Sequence, residues 1–388
     1  MKRHFLGFCL AAVLLIVVFC PLARAETPDF PAQALVLMEA STGQVLYEKS
    51  AHVQRPCASI TKVMTLLLVF EAIDAGTLHL DDVLTASAHA AGMGGSDIWL
   101  KEGEQMTVDD LIKACVVMSA NDAAVVLAEA VAGSEDAFVE RMNARAAELG
   151  MNDTVFKNCN GLDEDGHITS AYDVAVMSRA LMRHEKIFDY TLIWIDYVRD
   201  GQTQLVNTNK LVRTYDGILG LKTGTTSAAG SCISAAAERN GMRLIAVVLG
   251  AENTKDRFSA ASSLLDYGFA NWKLTTPELP ELPELPVTGG MVSAVSLACE
   301  APRRFNSLGR RGDRDKALFA GKRSCAGGTG GCARYGGGRA ERRHGAVAQN
   351  HGENRSARHH IFFRIAIFFG LFFRSRSGVK SDLQKNLR

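Results

Sequence analysis

Three short groups of residues could do chemistry together. The first is Ser59-Ile60-Thr61-Lys62. A spacing of three along a helix puts Lys62 on the same face as Ser59, one turn away, so the amine can reach the hydroxyl. A lysine set in an apolar helix is disfavoured as a cation, which lowers its pKa and suits it to take a proton from a nucleophile. Alone the pattern is weak, because one Ser-x-x-Lys match is expected about once by chance in a chain of this length. The second group is Ser119-Ala120-Asn121, a hydroxyl and a carboxamide that offer both donors and an acceptor. An ordinary helix junction capped by Ser or Asp would use the same residues. The third is Lys222-Thr223-Gly224-Thr225. An edge strand ending in Lys-Thr-Gly would present a fixed cation and hydroxyls to a carboxylate, and glycine lets another backbone come close.

The elements that must carry these groups follow from the surrounding pattern. Residues 32–48 read as a hairpin, with the apolar run Ala34 to Met38, turn chemistry at Ser41-Thr42-Gly43 and a return at Val45-Leu46-Tyr47. From Ser59 to Ala75 the residues are apolar all round a helix that Gly76 can end, so Ser59 is expected at the first turn of a buried helix. Thr107, with Asp110 three residues on, opens another helix in capping-box fashion. It runs to Met118, where Ser119 to Asp122 interrupt it, and a further helix is expected from about Ala123 to Ala132. Ser134 caps one that ends near Gly150, and Thr169 caps one through Leu181. Cys232–Glu238 and Met242–Leu249 flank Asn240-Gly241, a strong hairpin signal. A last helix is expected from about Asp256 to Trp272. Helices collected between an early and a late hairpin predict an α+β fold, an antiparallel sheet covered by helices.

The joint occurrence of the three groups, in this order and spacing, resembles the penicillin-binding and β-lactamase superfamily. Around them, Arg55-Pro56-Cys57-Ala58-Ser59-Ile60-Thr61-Lys62-Val63-Met64-Thr65, Ser119-Ala120-Asn121-Asp122-Ala123-Ala124, Asn160-Gly161-Leu162-Asp163 with His167 through Asp173, and Gly220-Leu221-Lys222-Thr223-Gly224 closely resemble the low-molecular-mass D-alanyl-D-alanine carboxypeptidases. The resemblance covers about residues 28–275. It implies a β-lactamase/transpeptidase-like domain with a helical cluster, followed by a small β domain. It implies that Ser59 attacks the penultimate D-alanine carbonyl of a peptidoglycan stem peptide, that Lys62 takes the serine proton and that Ser119 relays a proton to the leaving amine. Asn121 would hold the substrate amide. Lys222, Thr223, Gly224 and Thr225 would bind the terminal carboxylate, supported by Arg257, and the Ser59 and Thr225 amides would form the oxyanion hole. β-Lactams would acylate the same serine, and neither a metal nor a cofactor is called for. A β-lactamase would need a deacylating carboxylate, yet no Glu-x-x-Leu-Asn lies between the second and third groups. A non-catalytic peptidoglycan-binding protein would not need Ser59, Lys62 and Lys222 intact.

Charge and composition divide the chain. Its formal charge of +1 over 388 residues hides a net +3 in residues 1–25, −17 in 26–300 and +15 in 301–388. That excludes a uniformly basic nucleic-acid binder, and a composition 47% hydrophobic and 22% charged excludes global disorder. Residues 1–25 read as a signal peptide: Lys2 and Arg3, an apolar run from Phe5 to Cys20 too short to span a bilayer, then Ala23-Arg24-Ala25. Export to the outer face of the cytoplasmic membrane is the expectation. The catalytic domain is placed at 26–275, and a proline-rich linker with the start of a second β domain at 276–300, where Pro277, Pro280, Pro283 and Pro286 keep the three-residue period of polyproline II. Residues 301–388 hold 14 of the 35 glycines and no apolar periodicity before His359. This change is read as a shifted reading frame, the other reading being a basic arm for nucleic acid or acidic wall polymers. Residues 361–373, rich in phenylalanine, are long enough to lie on a membrane surface but not to cross it. The cysteines have no metal-ligand spacing and are read as free or buried thiols, Cys57 as buried. His167 is read as ordering its acidic loop, and Met38, Met64 and Met118 as core.

Overall fold

The computed structural model describes residues 30–275 and the short strands Leu285–Pro286, Ala294–Val295 and Phe305–Leu308. The signal segment, most of the proline-rich stretch, and the Arg/Gly-rich region with its phenylalanine-rich part lie outside the described residues. Leu285–Pro286 pairs antiparallel with Ala294–Val295, so the last proline of the period sits in a strand and not in a polyproline spacer.

Nine strands and nine helices concern the site. The strands are β1 (Ala34–Glu39), β2 (Val45–Lys49), β3 (Val83–Thr85), β4 (Gln105–Thr107), β5 (Ile195–Val198), β6 (Thr203–Val206), β7 (Ile218–Thr226), β8 (Gly230–Arg239) and β9 (Met242–Ala251). The helices are α1 (Lys62–Asp74), α2 (Ala88–Ala91), α3 (Val108–Val117), α4 (Asn121–Ala132), α5 (Glu135–Leu149), α6 (Ala171–Leu181), α7 (Ile187–Thr191), α8 (Leu211–Thr214) and α9 (Thr254–Asn271). Five strands form one antiparallel sheet in the order β2-β1-β9-β8-β7, while β3 with β4 and β5 with β6 make separate ribbons.

Both faces of the sheet are covered. All six residues of β1 are buried. Ala34, Val36 and Met38 join one apolar cluster, with Val63 to Phe70 of α1 and Val174, Ala175 and Met177 of α6. Leu35 and Leu37 join the other, with Ala260, Ala261, Leu264 and Leu265 of α9. Each large aliphatic side chain so buried contributes about 1.5–3 kcal/mol. The early and late hairpins lie side by side, since β1 pairs with β9, and the Arg239–Met242 pair closes β8 to β9 through Asn240 (φ +52°) and Gly241 (φ +74°). The α+β expectation holds.

Several local expectations are refined. Ser59 lies in a 3-10 turn, Ala58–Thr61, that precedes α1, and Lys62 is the first α-helical residue. Thr107 caps α3 by accepting from the Asp110 amide at 3.2 Å, but the Asp110 carboxylate bonds Lys113, so only half of the capping box forms. α4 starts at Asn121 itself. The cap of α6 is Ser170, whose Oγ accepts from Asp173 N. Thr169 is drawn into a bridge with Arg55 instead. α9 starts two residues early, behind an Asn253 cap. β7 is an edge strand, yet it continues through Thr226, so Lys222-Thr223-Gly224 sits within it and not at its end.

Candidate active site

The first motif is held where three backbones meet. A Cβ on Gly224 of β7 would come within 2.8 Å of Cys57 O and 2.9 Å of Ser59 N. Gly161 (φ +88°) lies against the other side, where a Cβ would overlap Ala58 O. Glycine at both positions lets β7 and the 158–167 loop clamp the Cys57–Ser59 backbone. Ala58 takes φ +52° within this clamp, a left-handed conformation costing about 1–3 kcal/mol in a non-glycine residue.

Lys62 is fully buried, with its Nζ 3.0 Å from Ser59 Oγ, 2.5 Å from Asn121 Oδ1 and 2.7 Å from Asn160 O. All three partners are neutral. Burial pulls its pKa down to about 8, against weaker opposing fields from Cys115, Cys159, Asp97 and Asp122. The helix pattern thus places a partly neutral amine on the serine hydroxyl at mildly alkaline pH.

α3 ends at Val117 and α4 begins at Asn121, and Ser119 stands in the break with φ +65°. Its Oγ is buried and has no hydrogen-bond partner. A buried unpaired hydroxyl costs about 1–3 kcal/mol, which marks it as an atom awaiting a partner. Asn121 is held at both ends of its carboxamide, Oδ1 by Lys62 and Nδ2 by donation to Gly94 O at 2.6 Å.

On β7, Lys222 is buried and its Nζ reaches Thr223 O at 3.1 Å. Burial first, then the positive charges of Lys62 and Arg257, lower its pKa to about 7. Arg257 Nη1 donates to Thr225 Oγ1 (3.0 Å), Gly224 O (3.1 Å) and Cys232 O (3.3 Å), while its buried Nε has no partner. Thr223 Oγ1 donates to Thr208 Oγ1 at 2.7 Å, and the Thr208 amide donates to Val117 O, joining β7 to the end of α3. Buried Lys222 on the edge strand and Arg257, which reaches that strand from the first turn of α9, have no carboxylate bonded to either, an arrangement suited to receive an anion.

The structure therefore brings Ser59, Lys62 and Asn121 into one hydrogen-bonded group, and Thr223, Gly224, Thr225 and Arg257 into a second around Lys222. Asn160, Gly161, Thr208 and Asp122 also shape the site without having been assigned a role from sequence. His167 does order its loop: Nδ1 accepts from Lys157 N at 3.2 Å, leaving Nε2 to bond Thr61 Oγ1 at 2.7 Å. Cys57, Cys115, Cys159 and Cys232 are free and buried, as the sequence suggests. Met38 and Met64 are core and Met118 packs against it. Among the described residues no His, Cys, Asp or Glu cluster is arranged to hold a metal ion, and no helix is long and apolar enough to cross a membrane.

Residues 22–253 match the family model described as D-alanyl-D-alanine carboxypeptidase. The chain is similar to D-alanyl-D-alanine carboxypeptidase DacF of Bacillus subtilis, 42% identical over 67% of this chain and 69% of that one. It is 36% identical to DacC of Escherichia coli over 68% of each. Among solved structures it resembles penicillin binding protein 6B from Escherichia coli, with 38% identity, TM-score 0.62, and coverage of 66% of this chain and 82% of that one. It also resembles penicillin-binding protein D2 from Listeria monocytogenes in the ampicillin-bound form, with 33% identity, TM-score 0.57, and coverage of 62% and 100%.

Proposed function

The chain belongs to the D-alanyl-D-alanine carboxypeptidase family, and from that premise we propose how its own residues perform the reaction on peptidoglycan stem peptides. The observation that carries this reading is the 3.0 Å approach of a buried, charge-unpaired Lys62 to Ser59 Oγ. Neutral Lys62 takes the hydroxyl proton as Oγ attacks the penultimate D-alanine carbonyl. The Ser59 and Thr225 amides face the oxyanion that forms, a preorganised stabilisation in which each donor contributes about 3–4 kcal/mol. Ser119 Oγ relays a proton to the leaving nitrogen, the C–N bond breaks, and D-alanine departs. Water then cleaves the Ser59 ester and returns the serine. Asn121 keeps Lys62 aligned and offers its remaining Nδ2 proton to the substrate amide. Lys222, Thr225 and Arg257 bind the terminal carboxylate, whose charge raises the Lys222 pKa and fixes it as a cation. A β-lactam, which carries a carboxylate beside a strained amide, would enter the same way and remain as an ester.

We place this activity in the cell envelope, reached by export through residues 1–25. The test is covalent labelling with a tagged penicillin together with D-alanine release. Wild type should be labelled, with acylation accelerating as pH rises through about 8 while Lys62 loses its proton, and Ser59→Ala should not be. Labelling of Ser59→Ala, or no labelling of wild type, would overturn the assignment.

A further inference from the structure

Trp99 is the most exposed large apolar side chain among the described residues, at 74% of its full accessibility. It also takes φ +55°, uncommon for a bulky residue. Its two neighbours are buried, Ile98 at 0% and Leu100 at 4%. The amides of both donate to the carboxylate of Asp122, Ile98 N at 3.1–3.2 Å and Leu100 N at 2.9 Å. Asp122 is 2% exposed and directly follows Asn121. Ile98 O is fixed in turn by Arg199 Nη1 at 2.8 Å. A buried carboxylate thus grips the backbone on both sides of one tryptophan and leaves its ring in solvent.

The same segment is anchored to the site. Asn121 Nδ2 donates to Gly94 O and Asn121 N to Ser96 O, each at 2.6 Å. Gly94 and Trp99 are five residues apart and so separated by at most about 17 Å. A stem peptide of about five residues has the same reach when extended. With its D-alanine end at Ser59, a stem of that length is long enough for its other end and the amino sugar that bears it to reach Trp99. The flat apolar ring suits the C–H face of a pyranose. Core packing does not explain its placement, since burying such a ring would have stabilised the fold by about 2–3 kcal/mol.

We propose that Trp99 is a specificity-determining contact for the glycan of the substrate, displayed by the Asp122 clamp, so that the enzyme favours glycan-linked stems over short acyl-D-alanyl-D-alanine peptides. This rests on the carboxypeptidase reading above. Asp122 acts as a positioning residue for both Trp99 and Asn121.

The experiment compares D-alanine release from three substrates: a short acyl-D-alanyl-D-alanine peptide, the glycan-free stem pentapeptide, and the same stem on a disaccharide. Trp99→Ala should lower the disaccharide-to-short ratio of kcat/KM about fivefold, and Trp99→Tyr should keep most of it. Asp122→Asn should lower turnover of all three and also reduce the ratio, a combination that a purely structural defect would not give. Equal losses on every substrate, no change in the ratio, or the same loss on the glycan-free pentapeptide as on the disaccharide would overturn the proposal. So would loss of Trp99-dependent binding to anionic lipid vesicles with the ratio unchanged, which would make Trp99 a membrane contact. If wild type releases D-alanine from none of the three, the carboxypeptidase reading itself fails.

Discussion

The two faces of the central sheet are built to different rules. Under α9 the backbone is regular: β1 and β9 pair without interruption from Ala34–Leu249 to Glu39–Leu244, and Leu35, Leu37, Ala260, Leu264 and Leu265 close on one another. At the cleft, Lys62, Lys222, Ser119 and Asn121 are buried polar groups, joined by Arg257 from the first turn of α9. Ala58, Ser119 and Leu221 there hold left-handed backbones, one at or next to each of the three motifs. Ser119 Oγ and Arg257 Nε lack partners. Each of those features costs about 1–3 kcal/mol. The regular face supplies the stability that lets the cleft keep its unsatisfied, strained geometry ready for substrate.

Substitutions on the two sides should therefore separate. Ser119→Gly removes the hydroxyl proposed to relay the proton and relieves both the φ +65° strain and the unpaired oxygen, so turnover should fall about 10²–10³-fold while stability rises by about 1 kcal/mol. Leu264→Ala, on the opposite face, should cost about 2–5 kcal/mol with the folded fraction's kcat little altered. Paired D-alanine release and urea unfolding read both quantities. A Ser119→Gly protein less stable than wild type would break the contrast.

How far the sequence foretold this differs in the same way. Periodicity located α1, the paired hairpins and the Asn240-Gly241 turn, because a buried face and a turn conformation are written in local residue types. The Lys62–Ser59 contact followed from a spacing of three. What escaped was made of long-range contacts. Asn160 acts through a backbone carbonyl, which no side chain announces, and Thr208 matters only because the fold brings it to Thr223. Asp122 reads as a helix cap, yet it grips amides more than twenty residues away. The displacement of Ser59 into a 3-10 turn follows from the pressure of Gly161 and Gly224 against Ala58 and Ser59, which a helical pattern cannot contain.

His167 offers a middle-sized test of how the cleft is braced. Its Nδ1 accepts from Lys157 N, so Nε2 carries the proton and donates to Thr61 Oγ1, which donates to Ala58 O beside Ser59. Burial lowers its pKa to about 4, against opposing fields from Glu164 and Asp163. Between about 4 and the ordinary 6.5 the unfolded chain binds a proton that the folded one refuses. Stability is therefore full above about pH 6.5 and falls as pH drops towards 4, by up to about 1.4 kcal/mol per pH unit. His167→Gln should be less steep over that window in urea unfolding at pH 7, 5.5 and 4.5. Parallel slopes for the two proteins would mean that His167 is not held neutral.

The smallest effect tests whether left-handed backbone is costly everywhere or only at the cleft. Asn240 has φ +52° as the first residue of the β8–β9 turn. Asparagine tolerates this conformation, and a two-residue turn with positive φ at both positions matches the twist of the strands it joins. Ser119 has nearly the same φ without that local support. Asn240→Gly should accordingly change stability by no more than about 0.5 kcal/mol, since glycine adopts the turn but loosens the unfolded chain. Asn240→Ala should cost about 1 kcal/mol, and neither variant should alter D-alanine release. If Asn240→Gly stabilised the protein as much as Ser119→Gly, left-handed strain would be a general feature of this chain, and the cleft's cost would rest on its unpaired polar atoms alone.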